Sequence, residues 1–344
     1  MNPRTSLFAA AAALLLIPGH SFACATCGCS LSTDAAMGFA PDSGWRLSLQ
    51  YDYIDQNQLR SGGSAVSPSQ VAALNPDAGQ EVENRTVNRT TTLGISYSPN
   101  ADWNFKALIP YVDSGHTTYG AATNPLSADE LSGVSATGLG DVKLMVGYQG
   151  LLPNHGLGLQ LGLKLPTGAY GSGPDANGNN VGRGYALFGS GPNQGSPLDA
   201  SLQPGTGSTD LLLGAYYDQA VSQDFDAFVS GQFQAALKHR LDQPGSDYRP
   251  GNNATLSFGM RYEADPALVP QLQININRKS ADQGFLADTA GTAGTVAYLS
   301  PGLTARVAAN VSLFGFVQLP VYNRLAGTQL FPHWTATVGA SVSF

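Results

Sequence analysis

Three cysteines close to the N-terminus are the residues whose types and spacing could do chemistry. They stand in the segment Cys24-Ala-Thr-Cys27-Gly-Cys29, which holds every cysteine of the chain. Thiolates at this spacing can gather around a soft metal ion such as copper or zinc, and two of them can form a redox disulfide. The sequence therefore predicts a metal site or a redox site at Cys24, Cys27 and Cys29.

Several interpretations of this cysteine segment stay open. Because three is an odd number, one thiol is left for a metal ion, a partner protein or a lipid. A disulfide without function, a copper or zinc site, contact with a periplasmic redox or metal protein, and a lipid anchor on Cys24 are the alternatives. Histidine follows neither Cys27 nor Cys29, so covalent haem attachment is not indicated.

Catalytic motifs are not evident in the rest of the sequence. The five histidines are scattered over the N-terminal segment, loops and strand ends, and there is no Gly-x-Ser-x-Gly nucleophile elbow. The Gly138-Leu-Gly140 pattern precedes a predicted strand instead of a helix, so it is not a nucleotide-binding fingerprint. A net charge of −7 without a basic cluster argues against nucleic acid as a partner. We therefore do not expect an enzyme.

The chain begins with an export signal at residues 1–23, directly before the cysteine segment. Arg4 supplies a positive charge, Leu7 to Ile17 form an apolar run, and Ser21-Phe22-Ala23 is a small-x-small cleavage site. Ser21 and Phe22, which stand before Ala23, fit the residue pattern of a lipoprotein signal poorly. We predict three regions: a signal peptide (1–23), a periplasmic N-terminal segment with the cysteines (24–44), and a β-barrel (45–344).

The composition of the chain favours a membrane β-barrel over a helical membrane protein. Charged residues make up 12% of the chain, about half of what a soluble domain carries. No run of about 18 apolar residues follows the signal, so membrane-spanning helices are not predicted. One face of each strand in a membrane barrel meets lipid and the other meets water, which requires this balance of residues.

Strict alternation of apolar and polar residues is the clearest structural signal. From Trp334 to Phe344, apolar residues occupy every second position, and Thr335, Thr337 and Ser341 stand between them. A strand that ends on a C-terminal aromatic resembles the signal that the barrel-assembly machinery of the outer membrane reads. We therefore expect that machinery to be a partner during biogenesis.

The same alternation predicts twelve strands along the chain. Their expected bounds are 45–56, 87–98, 101–112, 139–149, 156–166, 207–219, 224–238, 252–263, 269–279, 294–306, 310–321 and 333–344. Short and long connections alternate strictly between them, and the longest, about 168–206, is rich in Gly, Asn and Pro. Outer-membrane barrels have this arrangement, with short periplasmic turns and long extracellular loops.

The predicted fold is therefore all-β, a transmembrane antiparallel up-and-down barrel in the outer membrane of a Gram-negative bacterium. Aromatic residues near the predicted strand ends fit the aromatic girdles that contact the lipid interface. These residues are Trp45, Trp103, Tyr111, Tyr148, Tyr217, Phe225, Tyr262, Trp334 and Phe344.

Short motifs at the strand ends resemble the outer-membrane family named for the meta-pathway of phenol degradation. The motifs are Gly138-Leu-Gly-Asp141, Leu163-Lys-Leu-Pro-Thr-Gly168, Gly205-Thr-Gly-Ser-Thr-Asp210, Pro250-Gly-Asn252 and Gln318-Leu-Pro320. The resemblance covers roughly residues 45–344 and implies a barrel that transports small solutes, without naming the solute. Taken physically, the glycines and prolines suit places where the backbone bends at the start or end of a strand.

Alternation also places a set of charged residues on the face that points into the barrel. The predicted lumen-lining residues are Arg46, Asp52, Lys106, Lys143, Lys164, Asp226 and Arg261. Inward placement is required because Arg or Lys facing mid-bilayer lipid costs about 2–4 kcal/mol. Either these charges are paired or solvated, or they form a mildly basic lumen that favours anionic solutes. Residues 30–44 could fold back as a plug.

Three hypotheses about function follow from these features. The leading one is an outer-membrane channel or transporter for small solutes, including hydrophobic or aromatic compounds. The second is a barrel that carries a periplasmic cysteine segment for metal binding or redox chemistry and partners a periplasmic protein. The third is a plugged structural barrel with little conductance.

Overall fold

The computed structural model describes residues 43–74, 81–120, 122–123, 125–174 and 178–344. Fifteen β-strands dominate this part of the chain. They are β1 (Gly44–Gly62), β2 (Ser64–Val66), β3 (Val82–Ser98), β4 (Trp103–Tyr119), β5 (Leu131–Leu139), β6 (Lys143–Tyr148), β7 (Leu157–Lys164), β8 (Tyr170–Pro174), β9 (Asn180–Arg183), β10 (Ser208–Ala220), β11 (Phe225–His239), β12 (Asn253–Tyr262), β13 (Leu268–Lys279), β14 (Gly294–Ala308) and β15 (Val311–Ser343).

Two short helices, α1 (Pro68–Leu74) and the 3-10 turn η1 (Ala128–Glu130), lie among these strands. Neither of them has the length and apolar character that a helix needs to cross a membrane.

The strands close into one antiparallel barrel. The hydrogen-bonded order is β1-β3-β4-β6-β7-β10-β11-β12-β13-β14-β15, and β15 pairs with β1 to complete the ring. The long strand β15 turns back on itself near Gly327, since Ser343 N donates to Asn310 O at 2.9 Å and Gln318 Nε2 donates to Thr335 Oγ1 at 3.1 Å. The ring contains eleven strands, and because β15 crosses the barrel wall twice, the chain makes twelve passes. This confirms the predicted barrel.

Two further strands extend the ring at one end. The short strand β2 pairs with the end of β1. Strand β5 pairs with β4 beyond the point where β6 ends its own pairing with β4. Together β5 and β6 form one interrupted pass, broken at residues 140–142, where Gly140 N donates to Pro110 O at 2.8 Å.

The outer surface of the barrel is an apolar belt. Adjacent residues of β15 point in opposite directions, so Val338 is 52% exposed and Thr337 only 1%. The same alternation leaves leucines, valines and aromatics exposed on the outward face of each strand in the ring. A soluble protein would bury such a surface, and lipid covers it in a transmembrane barrel.

Aromatic pairs mark both borders of this belt. At the end with the short turns, which we call the short-turn end, Trp45 lies 4.7 Å from Tyr97 and Trp103 lies 4.7 Å from Tyr148 between ring centroids. Toward the opposite end, the loop end, Trp334 lies 5.7 Å from Tyr53. The aromatic residues therefore lie where girdles contact the lipid interface.

Several strands run farther toward the loop end than the alternation predicts. Strand β1 continues to Gly62, β3 begins at Val82, and β4 continues to Tyr119. Beyond the belt the outward face no longer meets lipid, so polar residues stand on both faces and the alternation disappears. The predicted long connection before the last strand is wrong. Strand β15 continues through this region beyond the belt, and Gly327, with φ +60°, makes a tight turn there.

Candidate functional site

The enclosed face of the barrel, formed by the inward side chains of the ring, is the candidate functional site. On β12 to β15 and on part of β1 it consists mainly of buried amides and hydroxyls. They bond across neighbouring strands: Asn275 Nδ2 donates to Ser300 Oγ at 2.8 Å, and Gln271 Nε2 donates to Thr304 Oγ1 at 2.9 Å. These bonds satisfy polar groups that would otherwise be costly to bury.

The structure places all the charged residues predicted for the lumen on this enclosed face. Each alternates with an exposed apolar neighbour, as Arg46 does with Trp45 and Lys164 does with Leu163. The acid Asp52 is buried and accepts a hydrogen bond from Thr337 Oγ1 at 2.6 Å. That a solute passes these residues stays a prediction.

A basic row crosses the enclosed face at the short-turn end. Arg46 of β1 pairs in register with Ser96 of β3, which pairs with Lys106 of β4. Arg46 and Lys106 are partly exposed and line one pocket together with the side chains of Asn104 and Gln160. Two cations separated by a serine can attract an anionic group.

Apolar residues lie next to this basic row. Leu108, Pro110 and Val112 follow Lys106 on the enclosed face of β4, and Met145 pairs in register with Lys106. All four are partly exposed. This part of the enclosed face therefore offers both apolar and positively charged contacts.

Lys164 is the centre of a buried charge cluster, which we call the lysine node. Its Nζ lies 2.9 Å from Asp141 Oδ2, 3.1 Å from Asp210 Oδ2 and 3.1 Å from Ser208 Oγ, and it also contacts Thr206 Oγ1. Lys164, Asp141 and Asp210 are 4%, 7% and 1% exposed. A charge this deeply buried requires such partners.

The lysine node fixes both ends of the long connection between β7 and β10. The Asp141 carboxylate accepts hydrogen bonds from Gly168 N at 3.1 Å and from Thr206 N at 2.9 Å. A Cβ on Gly168 would lie 2.8 Å from Gly205 Cα, so the two backbones meet without room for a side chain. The first three sequence motifs therefore converge on one site, and glycine is required where their backbones touch.

Part of the long connection folds into the mouth of the barrel. We call residues 186–202 the mouth loop. Phe188, Leu198 and Leu202 of this loop pack on Val134 and Ala136, which lie on the enclosed face of β5. This contact partly covers the enclosed face at the loop end.

Two further contacts hold the mouth loop at β5 and β4. Gly133 N donates to Ser190 O at 3.3 Å, along the edge of β5 that pairs with no strand among the described residues. The Phe188 ring lies 6.2 Å from the His116 ring in an edge-on arrangement. The loop therefore follows both the free edge of β5 and the inner wall.

A second charge cluster surrounds Arg261 at the short-turn end. Its guanidinium lies 2.6 Å from Asp218 Oδ2, 3.6 Å from Asp226 Oδ2 and 3.3 Å from Glu263 Oε1. In the turn after β12, burial raises the pKa of Glu263 and Arg261 opposes that rise. Acids thus surround Arg261 as they do Lys164, so an anion preference would depend on the basic row, Arg46 and Lys106.

Inward aromatic rings lie directly over glycines of neighbouring strands. A Cβ added to Gly302 would overlap the Phe316 ring, and one added to Gly259 would overlap the Phe228 ring. Phe316 and Phe228 are 3% and 5% exposed. These glycines are therefore needed for the close approach of a ring to the wall.

Sequence reasoning missed the partners of the inward cations and the mouth loop. Asp141 and Asp210 each end a motif, which was the available signal, but nothing local showed that they meet Lys164. The predicted plug, residues 30–44, lies almost entirely outside the described residues. Cys24, Cys27 and Cys29 also lie outside them, so the copper or zinc site and the redox partner stay predictions.

Comparison with known families gives one match. The family model described as “Putative MetA-pathway of phenol degradation” matches residues 55–331. A search of the curated proteins gives no match.

Comparison with solved structures gives several similar barrels. An outer membrane channel from Pseudomonas putida F1 is 13% identical, with 92% of this chain and 100% of that chain covered and a TM-score of 0.62. The toluene transporter TbuX from Ralstonia pickettii is 10% identical, with 88% and 90% covered and a TM-score of 0.44. The first similarity shows a shared fold, and the second is too low to carry an argument.

Proposed function

The chain belongs to the family named for the meta-pathway of phenol degradation, and from that premise we propose that it is an outer-membrane channel for small solutes. The observation that carries the proposal is a closed barrel with an apolar outside and an enclosed face that bears polar, basic and apolar contacts. The short-turn end faces the periplasm and the loop end faces the outside, as the lengths of the connections favour.

The solute class follows from the part of the enclosed face that is accessible. Leu108, Val112 and Met145 can contact an apolar body, and Arg46 and Lys106 can contact an anionic group. Small hydrophobic or aromatic compounds therefore suit the site, and those that carry a negative charge suit it best. The solved barrel with the higher similarity, described as an outer membrane channel, supports transport over catalysis.

Loosening the mouth loop is expected to increase the conductance of the refolded protein in planar bilayers. In Phe188→Ala the loop loses a buried ring that packs on Val134 and Ala136, so it should leave the mouth more often. We expect open-channel current in the wild type and a conductance several times higher in the variant. Single-channel recording at fixed voltage measures both.

The matched control for this prediction is Leu187→Ala. Leu187 neighbours Phe188 but is 47% exposed, so its truncation should leave the conductance unchanged. If neither the wild type nor Phe188→Ala conducts, the channel proposal fails and the plugged-barrel hypothesis is favoured. If both variants behave alike, the mouth loop does not restrict the path.

Neutralising the basic row is expected to reduce a preference for anions. The wild type should pass chloride more readily than potassium, because the two cations of the basic row face the path. In Arg46→Gln with Lys106→Gln the reversal potential in a salt gradient should shift toward that of a cation channel. Arg89→Gln, on the outer surface, is the control. Cation preference in the wild type would contradict the expectation.

A further inference from the structure

Two exposed arginines stand side by side on the outer surface of the barrel near the loop end. Arg278 of β13 and Arg324 of β15 each pair in register with Thr295 of β14. All three side chains point outward, and both arginines are exposed. Since neighbouring strands lie about 4.8 Å apart, the two arginine backbones are about 10 Å apart. Two long side chains can converge across that distance.

These arginines lie directly above the apolar belt. The next outward row toward the short-turn end consists of Ile276, Ala297 and Tyr322, which pair across the same three strands. Tyr322 is 50% exposed, as expected of an aromatic at the border of the lipid region. Arg278 and Arg324 therefore lie at the depth of lipid headgroups.

Neither of the two guanidinium groups has a carboxylate partner among the described residues. The acids nearest in sequence, Asp282 and Asp288, are buried, and Asp282 already binds Lys279 at 3.0 Å. The outward arginines of β3 differ from this pair. Arg85 binds Asp55 at 2.8 Å and Arg89 binds Asp113 at 3.4 Å. Of these two pairs of arginines, Arg278 and Arg324 are the pair whose charge is not neutralised by a carboxylate among the described residues.

We propose that Arg278, Thr295 and Arg324 form a binding site for the phosphorylated headgroup of an outer-leaflet glycolipid of the lipid A type. Guanidinium groups bind phosphate through two parallel charge-assisted hydrogen bonds. The Thr295 hydroxyl adds a donor between them, and the row of Ile276, Ala297 and Tyr322 contacts the first part of the acyl chains. The site rests on the outer-membrane location in the proposed function and is independent of conductance.

The test is lipid binding by the full mature protein, refolded in detergent and examined by native mass spectrometry. Diphosphoryl lipid A and its dephosphorylated form are the probes. We expect the wild type to bind the phosphorylated form more tightly, and Arg278→Gln with Arg324→Gln to bind it about tenfold less tightly. Arg89→Gln should bind like the wild type, because Arg89 already binds Asp113.

Three results would overturn the proposal. They are equal binding by the double variant and the wild type, equal binding of both lipid forms, and displacement of the lipid by millimolar inorganic phosphate. The last would indicate a simple anion site. Conductance of the same preparations separates this proposal from the proposed function. If the double variant conducts normally and still binds lipid A as tightly as the wild type, the lipid-site proposal fails and the channel proposal stands.

Discussion

Replacing Lys164 by methionine is expected to lower the free energy of unfolding by about 3–5 kcal/mol, as for other broken buried ion pairs. The substitution leaves the carboxylates of Asp141 and Asp210 buried without their cation. Because Asp141 also binds Gly168 N and Thr206 N, both ends of the mouth-loop connection should loosen. Urea unfolding in lipid vesicles, followed by tryptophan fluorescence, measures the loss. Limited proteolysis between β7 and β10 reports the loop.

Two comparisons separate the charge from the packing of this side chain. Lys164→Met combined with Asp141→Asn and Asp210→Asn removes the unpaired charges and should recover part of the lost stability. Arg89→Gln breaks an exposed pair, with 43% and 45% of the side chains exposed, and should cost less than about 1 kcal/mol. Equal stability of Lys164→Met and the wild type would show that the lysine node is dispensable.

The part of the fold that faces lipid could be predicted from the sequence, because the bilayer imposes a pattern on it. The last strand shows this well: its outward residues are apolar at every second position, and the observed strand ends at Ser343. Strand β12 was expected at 252–263 and lies at Asn253–Tyr262. Lipid on one side and enclosed polar groups on the other fix both the period and the phase of the alternation.

The loop end could not be predicted in the same way. Strand β5, Leu131–Leu139, has serine and threonine among its exposed residues and packs its inner face on the mouth loop. Its outward face meets water, so no apolar period marks it. The sequence also gives no signal for the mouth loop, because its Gly-rich stretches do not show that Phe188, Leu198 and Leu202 pack on β5.

The candidate site was predictable as a set of inward charges but not as a set of pairs. Alternation alone places Lys164 and Arg261 inside, since it needs only the parity of each position along a strand. Their partners lie on other strands: Asp210 comes from β10 and reaches Lys164 on β7 through the register of that pair. Register depends on turns and closure of the whole ring, which local sequence does not specify.

This difference changes the meaning of the family motifs. Taken one at a time, Gly138 to Asp141 and Gly205 to Asp210 look like bends at strand ends. In the folded barrel they supply the acids that hold Lys164 and the glycines that let the two backbones meet. The motifs therefore act together, as an anchor for the segment that enters the mouth.

A methyl group at Gly302 is expected to be one of the most damaging small changes in the barrel. Gly302→Ala would push its Cβ into the Phe316 ring, which is buried on the enclosed face. Overpacking of this kind costs about 1–3 kcal/mol. We expect a lower urea midpoint, a lower refolding yield, and loss of the compact band when unheated samples are run on a gel.

Gly147→Ala is the matched control, because Gly147 also points to the enclosed face but its nearest neighbours would be 3.8 Å from the new Cβ. That variant should fold like the wild type. The double variant Gly302→Ala with Phe316→Leu should recover part of the stability, since the smaller leucine side chain leaves room for the methyl group. If Gly302→Ala is as stable as Gly147→Ala, the close approach of ring and glycine does not contribute to the barrel. If the double variant recovers nothing, Gly302 is needed for its backbone and not for the space above it.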